Sequence, residues 1–209
     1  MTFIIAEAGV NHNGSIHGAL DLIDAAVAAK ADAVKFQLFK DRPEIEHLRL
    51  TEQQILELAE CAKDKDIEFM CTPFYLEAVA FLDPLVRRHK IASGWMKAPE
   101  IFNAAVATGK QVIASLGMMT YEDRKDLTRP DNVSFLHCVS LYPCPDEMAH
   151  LNWCRLWKGY SDHTVGTLAC IAAAALGSRI IEKHLTLDKT AVGPDHSCSA
   201  EPHEFADMV

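Results

Sequence analysis

With 209 residues, 49% hydrophobic and 23% charged, the chain is sized for one well-packed domain and composed like an ordinary globular protein. A formal net charge of −9 argues against nucleic acid or an anionic membrane surface as a partner, but leaves an anionic small molecule open to a local cluster of cations. Seven cysteines without a CxxC spacing read as reduced thiols of a cytoplasmic protein, and no apolar stretch is long enough to span a membrane.

The start of the chain reads as a first strand (residues 3–8) rather than a signal peptide. The turn Asn11-His12-Asn13-Gly14-Ser15 follows, its last residue placed to cap a helix over 16–30. A second strand spans 33–39, and Thr51 with Gln54 three residues on forms a capping box for the next helix. The third strand, 68–72, is closed by Pro73 and followed by a helix over about 75–88. Short strands at 90–93 and 111–115 flank a helix that starts after Pro99. Residues 132–139 and 159–163 are the sixth and seventh strands, and Trp153 and Trp157 between them, at i and i+4, read as helix packing. A small-residue helix over 165–177 leads to the eighth strand, 179–185, and a last helix begins at Glu201.

Eight strands separated by helices imply parallel pairing through right-handed crossovers. The expected architecture is α/β, a single compact (β/α)8 TIM barrel over 1–209, with reduced helices after strands 5, 6 and 8. A doubly wound open sheet is the alternative, but its glycine-rich first turn has no counterpart here.

Active residues of such a barrel gather at the C-terminal ends of its strands. Those ends supply Glu7, Lys35 and Gln37, Thr72, Lys90 and Ser93, Ser115, Ser140 and Tyr142, Ser161 and His163, Glu182 and His184. Alternation along a strand turns Lys35 and Gln37 one way and Val34, Phe36 and Leu38 the other. It likewise pairs Ser161 with His163 and Glu182 with His184, so two imidazoles from neighbouring strands are placed to hold a divalent metal beside Glu182. Lys35, Lys90 and the hydroxyls of Ser93, Ser115 and Ser161 suggest a phosphate or carboxylate cradle; the competing reading is a structural network of these lysines with Glu7 and Glu182. Asp195, in the loop after the last strand, either reaches over the barrel mouth or is a turn residue. Asp162 and Lys183 have the opposite parity and are expected to pair outside the barrel.

The tracts IAEAGVNHNG (5–14), VKFQLF (34–39), CTPF (71–74), KIASG (90–94), LHCVSLYP (136–143), GYSDHT (159–164), IIEKHLTLDK (180–189) and GPDHSCSAEP (193–202) resemble the sialic acid synthase family along essentially the whole chain. The resemblance implies condensation of phosphoenolpyruvate with an N-acetylhexosamine such as N-acetylmannosamine. It makes His163 and His184 the ligands of a divalent ion, Mn2+ or Mg2+. Lys35, Lys90, Ser93, Ser115 and Ser161 match phosphoenolpyruvate-binding positions, and Glu7, Gln37, Tyr142, Glu182 and Asp195 match residues around the sugar and the reacting carbons; Thr72 and Ser140 complete the expected substrate-binding set.

Departures from the family pattern fall around the sugar. The resemblance implies a C-terminal antifreeze-like domain that lends an arginine to a partner's site, which these residues are expected to lack, so a homodimer or a partner supplying that domain is expected. Trp95 stands where an acidic residue commonly follows KIASG, Leu116 replaces a common threonine, and Ser140 replaces a common asparagine. Two other readings follow: the same chemistry on a di-N-acetylated sugar of legionaminic or pseudaminic type, or a non-catalytic barrel that binds or assembles.

Overall fold

A computed structural model of the chain describes residues 1–97 and 99–209. Local chemistry sets the first elements. Strand β1 (Phe3–Gly9) leads to helix α1 (Ile16–Ala28), whose cap Ser15 accepts a hydrogen bond from the Gly18 amide at 3.1 Å. The helix buries Ala19, Leu22, Ile23 and Ala26, one face at helical spacing. After β2 (Ala33–Leu38), helix α2 (Glu52–Asp64) begins with both halves of the Thr51–Gln54 capping box in place.

The remaining elements are β3 (Glu68–Pro73), α3 (Leu76–Leu82), β4 (Arg88–Ile91), α4 (Pro99–Ala107), β5 (Gln111–Ser115), α5 (Tyr121–Lys125), β6 (Val133–Cys138), β7 (Gly159–Asp162), α6 (Leu168–Ala175), β8 (Ile180–His184) and α7 (Pro202–Met208). All ladder pairs are parallel, in the order β3-β2-β1-β8-β7-β6-β5-β4. β3 and β4 lie side by side without ladder pairing, so the eight-stranded barrel is nearly closed rather than fully hydrogen-bonded around its ring.

Helices are reduced where the sequence predicts and also after β3, where the helix expected over about 75–88 is cut to the seven residues of α3 and gives way to a 3-10 turn at Asp83–Leu85 with Pro84 inside it. α5 has five residues and α7 has seven, and β6 is joined to β7 by 3-10 turns at Asp146–Met148 and Leu151–Arg155 in place of an α-helix. The helical reading of Trp153 and Trp157 is therefore corrected: they pack from a turn and an irregular segment. Trp157 meets Phe135 edge-on at 6.0 Å and Trp153 meets Tyr121 edge-on at 5.7 Å.

The strands sort their residues by parity. Val34, Phe36 and Leu38 face outward into the core shared with α1 and α2. Inward, Ile5, Ala33, Met70, Ile113, Leu136 and Ile180 form a separate apolar cluster. Two residues further along the same strands stand Glu7, Lys35, Thr72, Ser115, Cys138 and Glu182. A dry hydrocarbon floor thus lies beneath a polar layer, and electrostatic interactions in that layer are poorly screened.

Candidate active site

Four charged side chains, each at most 4% exposed, meet in the polar layer. Glu7 Oε2 lies 2.5 Å from Lys35 Nζ, and Gln37 donates to Glu7 Oε1 at 3.0 Å. Lys35 donates to Thr72 Oγ1 at 3.1 Å and stands 3.8 Å from Glu182. Lys90 donates to Ser115 Oγ at 3.0 Å and lies 3.4 Å from Glu182 Oε1, which also accepts from Ser161 at 2.9 Å.

The two carboxyls differ. Burial pushes Glu182 up, but Lys35 and Lys90 on either side outweigh it and hold the group down at about 2. Burial also pushes Glu7 up; Lys35 opposes this, Glu182 reinforces it, and the net shift is upward. Glu182 is thus held toward the anionic form and Glu7 toward the neutral one. Burial pulls both lysines down. The two glutamates overcome that for Lys35, whereas Lys90 stays below its ordinary range.

At the rim, the rings of His163 and His184 lie 5.4 Å apart. His163 Nδ1 is 2.6 Å from the Val139 carbonyl, which marks it as the protonated nitrogen and leaves Nε2 free. Burial, then the neighbouring His163, push His184 well below the ordinary imidazole range and keep it neutral. Burial opposes protonation of His163 as well, but Cys138 beside it and the Val139 carbonyl shift it upward. His184 Nδ1 is buried without a hydrogen-bond partner and stands 3.7 Å from Asp195 Oδ2; Glu182 Oε2 also accepts no hydrogen bond, its nearest cation being Lys35 Nζ at 3.8 Å.

Orphaned buried acceptors beside two imidazoles fit a divalent cation. Among the described residues no group of three or more His, Cys, Asp or Glu forms a ligand cluster, so solvent and substrate would complete such a site. Tyr142 lies over the pair, its ring 3.9 Å from His163 and edge-on at 6.0 Å to His184.

All fourteen residues singled out from the sequence line one cavity of about 860 Å³ at the C-terminal end of the barrel, including Ser93, Ser140 and Asp195. Asp195 is a cavity residue and not merely a turn former: it is 9% exposed, and the Ser199 hydroxyl donates to its carbonyl at 2.7 Å. Asn11 in turn donates to Ser199 and to the Leu185 carbonyl, each at 2.8 Å, tying this loop to the one after β1. Both readings of the lysines meet here, because they pair with Glu7 and Glu182 and also face the cavity.

The NeuB family profile matches residues 42–209. The chain belongs to the NeuB family. An uncharacterised protein of Methanocaldococcus jannaschii is 40% identical over the full chain and 69% of its own length. The N,N'-diacetyllegionaminic acid synthase of Campylobacter jejuni is 35% identical, covering 98% of this chain and 73% of the relative. The crystal structure of the sialic acid synthetase of Leptospira borgpetersenii superposes with a TM-score of 0.90 at 34% identity, over 99% of this chain and 81% of that one.

The outer wall of this NeuB protein's cavity holds residues that the sequence alone does not place there. Cys138, read as a core thiol, is buried but lines the cavity, 3.8 Å from Ser93 Oγ and 3.9 Å from His163 Nδ1. Its place at the end of β6 was the available signal. Arg42, Ile45, Phe74 and Met118 also line the wall, with Trp95 edge-on to Phe74 at 6.2 Å and the Arg42 guanidinium 5.7 Å over the Phe74 ring. They come from loops, where strand parity gives no direction.

Proposed function

We propose that this NeuB protein condenses phosphoenolpyruvate with the aldehyde of an N-acetylated amino sugar, giving a nonulosonic acid and phosphate. The observation that carries the reading is the Glu7–Lys35–Glu182–Lys90 cluster above a dry floor and directly below the histidine pair. Membership of the NeuB family, whose synthases join phosphoenolpyruvate to sugars, supports it.

Lys35 and Lys90, with Ser93, Ser115 and Ser161, would hold the phosphate and carboxylate of phosphoenolpyruvate. Glu182, kept ionised, fixes both ammonium groups in place. Carbon 3 of the enol attacks the aldehyde carbon, forming the new carbon–carbon bond. Glu7, whose carboxyl is shifted toward the neutral form, gives its proton to the resulting alkoxide. The same carboxylate then takes a proton from the water that adds at carbon 2; the carbon 2–oxygen bond to phosphate breaks as the new hydroxyl becomes the carbonyl, and its proton leaves on the phosphate. A divalent ion held by His163 and His184, Mn2+ or Mg2+, would supply Lewis acidity toward the acceptor's carbonyl. Gln37, Thr72, Ser140, Tyr142 and Asp195 would orient the sugar and exclude water.

The apolar outer wall favours one class of acceptor. Phe74, Trp95 and Met118 offer carbon surface to a sugar, and Arg42 is already paired with Glu44 at 2.8 Å. An uncharged acceptor with a second acetamido group suits this wall better than a phosphorylated one, in keeping with the likeness to N,N'-diacetyllegionaminic acid synthases.

The test is phosphate release from phosphoenolpyruvate by the Mn2+-loaded protein, with N-acetylmannosamine, its 6-phosphate and a 2,4-diacetamido sugar compared. Release that needs both sugar and ion establishes the condensation, and the fastest sugar names the acceptor. Equal or better turnover of the 6-phosphate defeats the apolar-wall reading alone. Absence of release with every sugar defeats the synthase reading.

A further inference from the structure

Asp162 and Lys183 are 0% exposed, lie opposite one another on β7 and β8, and face away from the cavity. Their Oδ2–Nζ distance is 2.7 Å. A buried ion pair of this kind is seldom favoured over a hydrophobic pair on stability alone. Its position along the ladder indicates another use. Ser161 and Glu182 form the rung before it and point inward; His163, just past the end of β7, and His184, the last residue of β8, follow it and also point inward. The ion pair is thus the last rung of the ladder, turned outward between an inward rung and the two histidines.

β7 ends at Asp162, so His163 lies beyond the last β7–β8 ladder pair, where its backbone is held on the other side by a single bridge, the Cys144 amide donating to the His163 carbonyl at 2.8 Å. The network around Asp162 ties the same turn to β8. Asp162 Oδ1 accepts from the Thr164 amide at 3.0 Å and from Tyr160 at 2.8 Å, and Oδ2 accepts from the Thr164 hydroxyl at 3.1 Å. Lys183 Nζ also donates to the Thr164 carbonyl at 2.5 Å. One ammonium, on the residue immediately before His184, therefore grips the two residues that flank His163.

We propose that Asp162 and Lys183 are positioning residues that set the spacing of His163 and His184 for a divalent ion from behind the barrel wall. The proposal rests on the ion-binding reading of the two histidines. Support behind an ion's ligands commonly changes its affinity 10–100-fold, and here that support acts through the backbone on either side of a ligand rather than on the imidazole.

The test is Mn2+ binding, by titration calorimetry or by loss of the free-ion electron paramagnetic resonance signal, together with thermal unfolding of each variant. Lys183→Met keeps the stem, removes the ammonium and leaves a buried carboxylate, so both melting temperature and affinity should fall. Adding Asp162→Asn removes that stranded charge while keeping an acceptor for Thr164 and Tyr160. The double variant should recover most of the melting temperature yet bind Mn2+ roughly 10–100-fold more weakly than wild type. Affinity that recovers along with stability, or never falls, overturns the proposal and leaves the pair a structural one. A wild-type chain that takes up no Mn2+, whether or not it binds phosphoenolpyruvate, sinks the ion reading and the proposal with it.

Discussion

Glu7 and Lys35 face each other across the β1–β2 ladder, 2.5 Å apart, with Glu182 close enough to Lys35 to compete for the same ammonium. Two carboxylates sharing this space resolve into one held ionised and one shifted toward neutrality. Glu7→Gln keeps shape and a hydrogen-bonding amide but removes the exchangeable proton. The expected outcome is a fall in kcat of about 10²–10⁴-fold, with phosphoenolpyruvate affinity changed far less. Steady-state phosphate release and equilibrium binding check the two halves separately; a kcat within tenfold of wild type would assign the proton to another group.

Trp95 separates acceptor recognition from the phosphate end. It stands on the outer wall of the cavity, edge-on to Phe74 at 6.2 Å. Trp95→Ala should raise the acceptor's KM about tenfold or more, the scale of a lost aromatic contact of roughly 1–2 kcal/mol. The KM for phosphoenolpyruvate should move less than twofold. Initial-rate kinetics with each substrate varied in turn distinguishes this from a general loosening of the site, in which both constants would rise.

The parts of this molecule legible from sequence are those fixed by short-range rules. The Ser15 cap and the Thr51–Gln54 box depend only on residues three apart, and both form as expected. Strand parity placed Lys35, Gln37, Ser161 and Glu182 inward and sent Asp162 and Lys183 outward to pair, because alternation is built into the pleat. The unclosed β3–β4 seam depends on how eight strands are staggered around a ring, which no local pattern encodes. Trp153 and Trp157 had helical spacing, but their segment winds as a 3-10 helix over Leu151–Arg155 and is irregular beyond it, an outcome that spacing alone does not distinguish from an α-helix. The contrast between Glu7 and Glu182 arises from three-dimensional neighbours: Glu182 sits between two lysines and Glu7 beside one.

His12 and His137 give the fold a dependence on acidity. Each is at most 4% exposed, and burial pushes each down to about 4. An unfolded chain returns them to about 6.5, so between these values the unfolded state binds protons that the folded state does not. Stability from this source is complete above about pH 6.5, falls as pH drops, and levels off below about pH 4. Each histidine contributes on the order of 3 kcal/mol across that window. His137→Gln retains a donor for the Ala149 carbonyl, which His137 Nε2 meets at 2.8 Å, and cannot titrate. Denaturant unfolding at a series of pH values should show a shallower loss for this variant between pH 6.5 and 4. Parallel curves would mean that His137 becomes protonated without unfolding.

Gly159, the first residue of β7, is where backbone geometry leaves least room. A Cβ there would run into the Ile180 carbonyl oxygen on the neighbouring strand and the Leu136 side chain on the other. The Ile180 oxygen belongs to the β8 backbone and cannot swing aside as a side-chain tip would. Gly159→Ala must therefore spread the β7–β8 ladder or shift β7, at a cost of about 3 kcal/mol or more. That corresponds to a fall in Tm of roughly 10 °C for a chain of this size. Gly109 is the control: its φ of +79° strains any side chain, but no atom lies within 4 Å of the Cβ position. Gly109→Ala should cost only about 1–2 kcal/mol, with Mn2+ and phosphoenolpyruvate binding intact. Because β7 and β8 carry Ser161, His163, Glu182 and His184, Gly159→Ala should lose binding at temperatures well below its own melting point. Equal losses in the two variants would mean that the β7–β8 ladder takes in the extra carbon easily and that the close approach at Gly159 costs no more than the φ strain at Gly109.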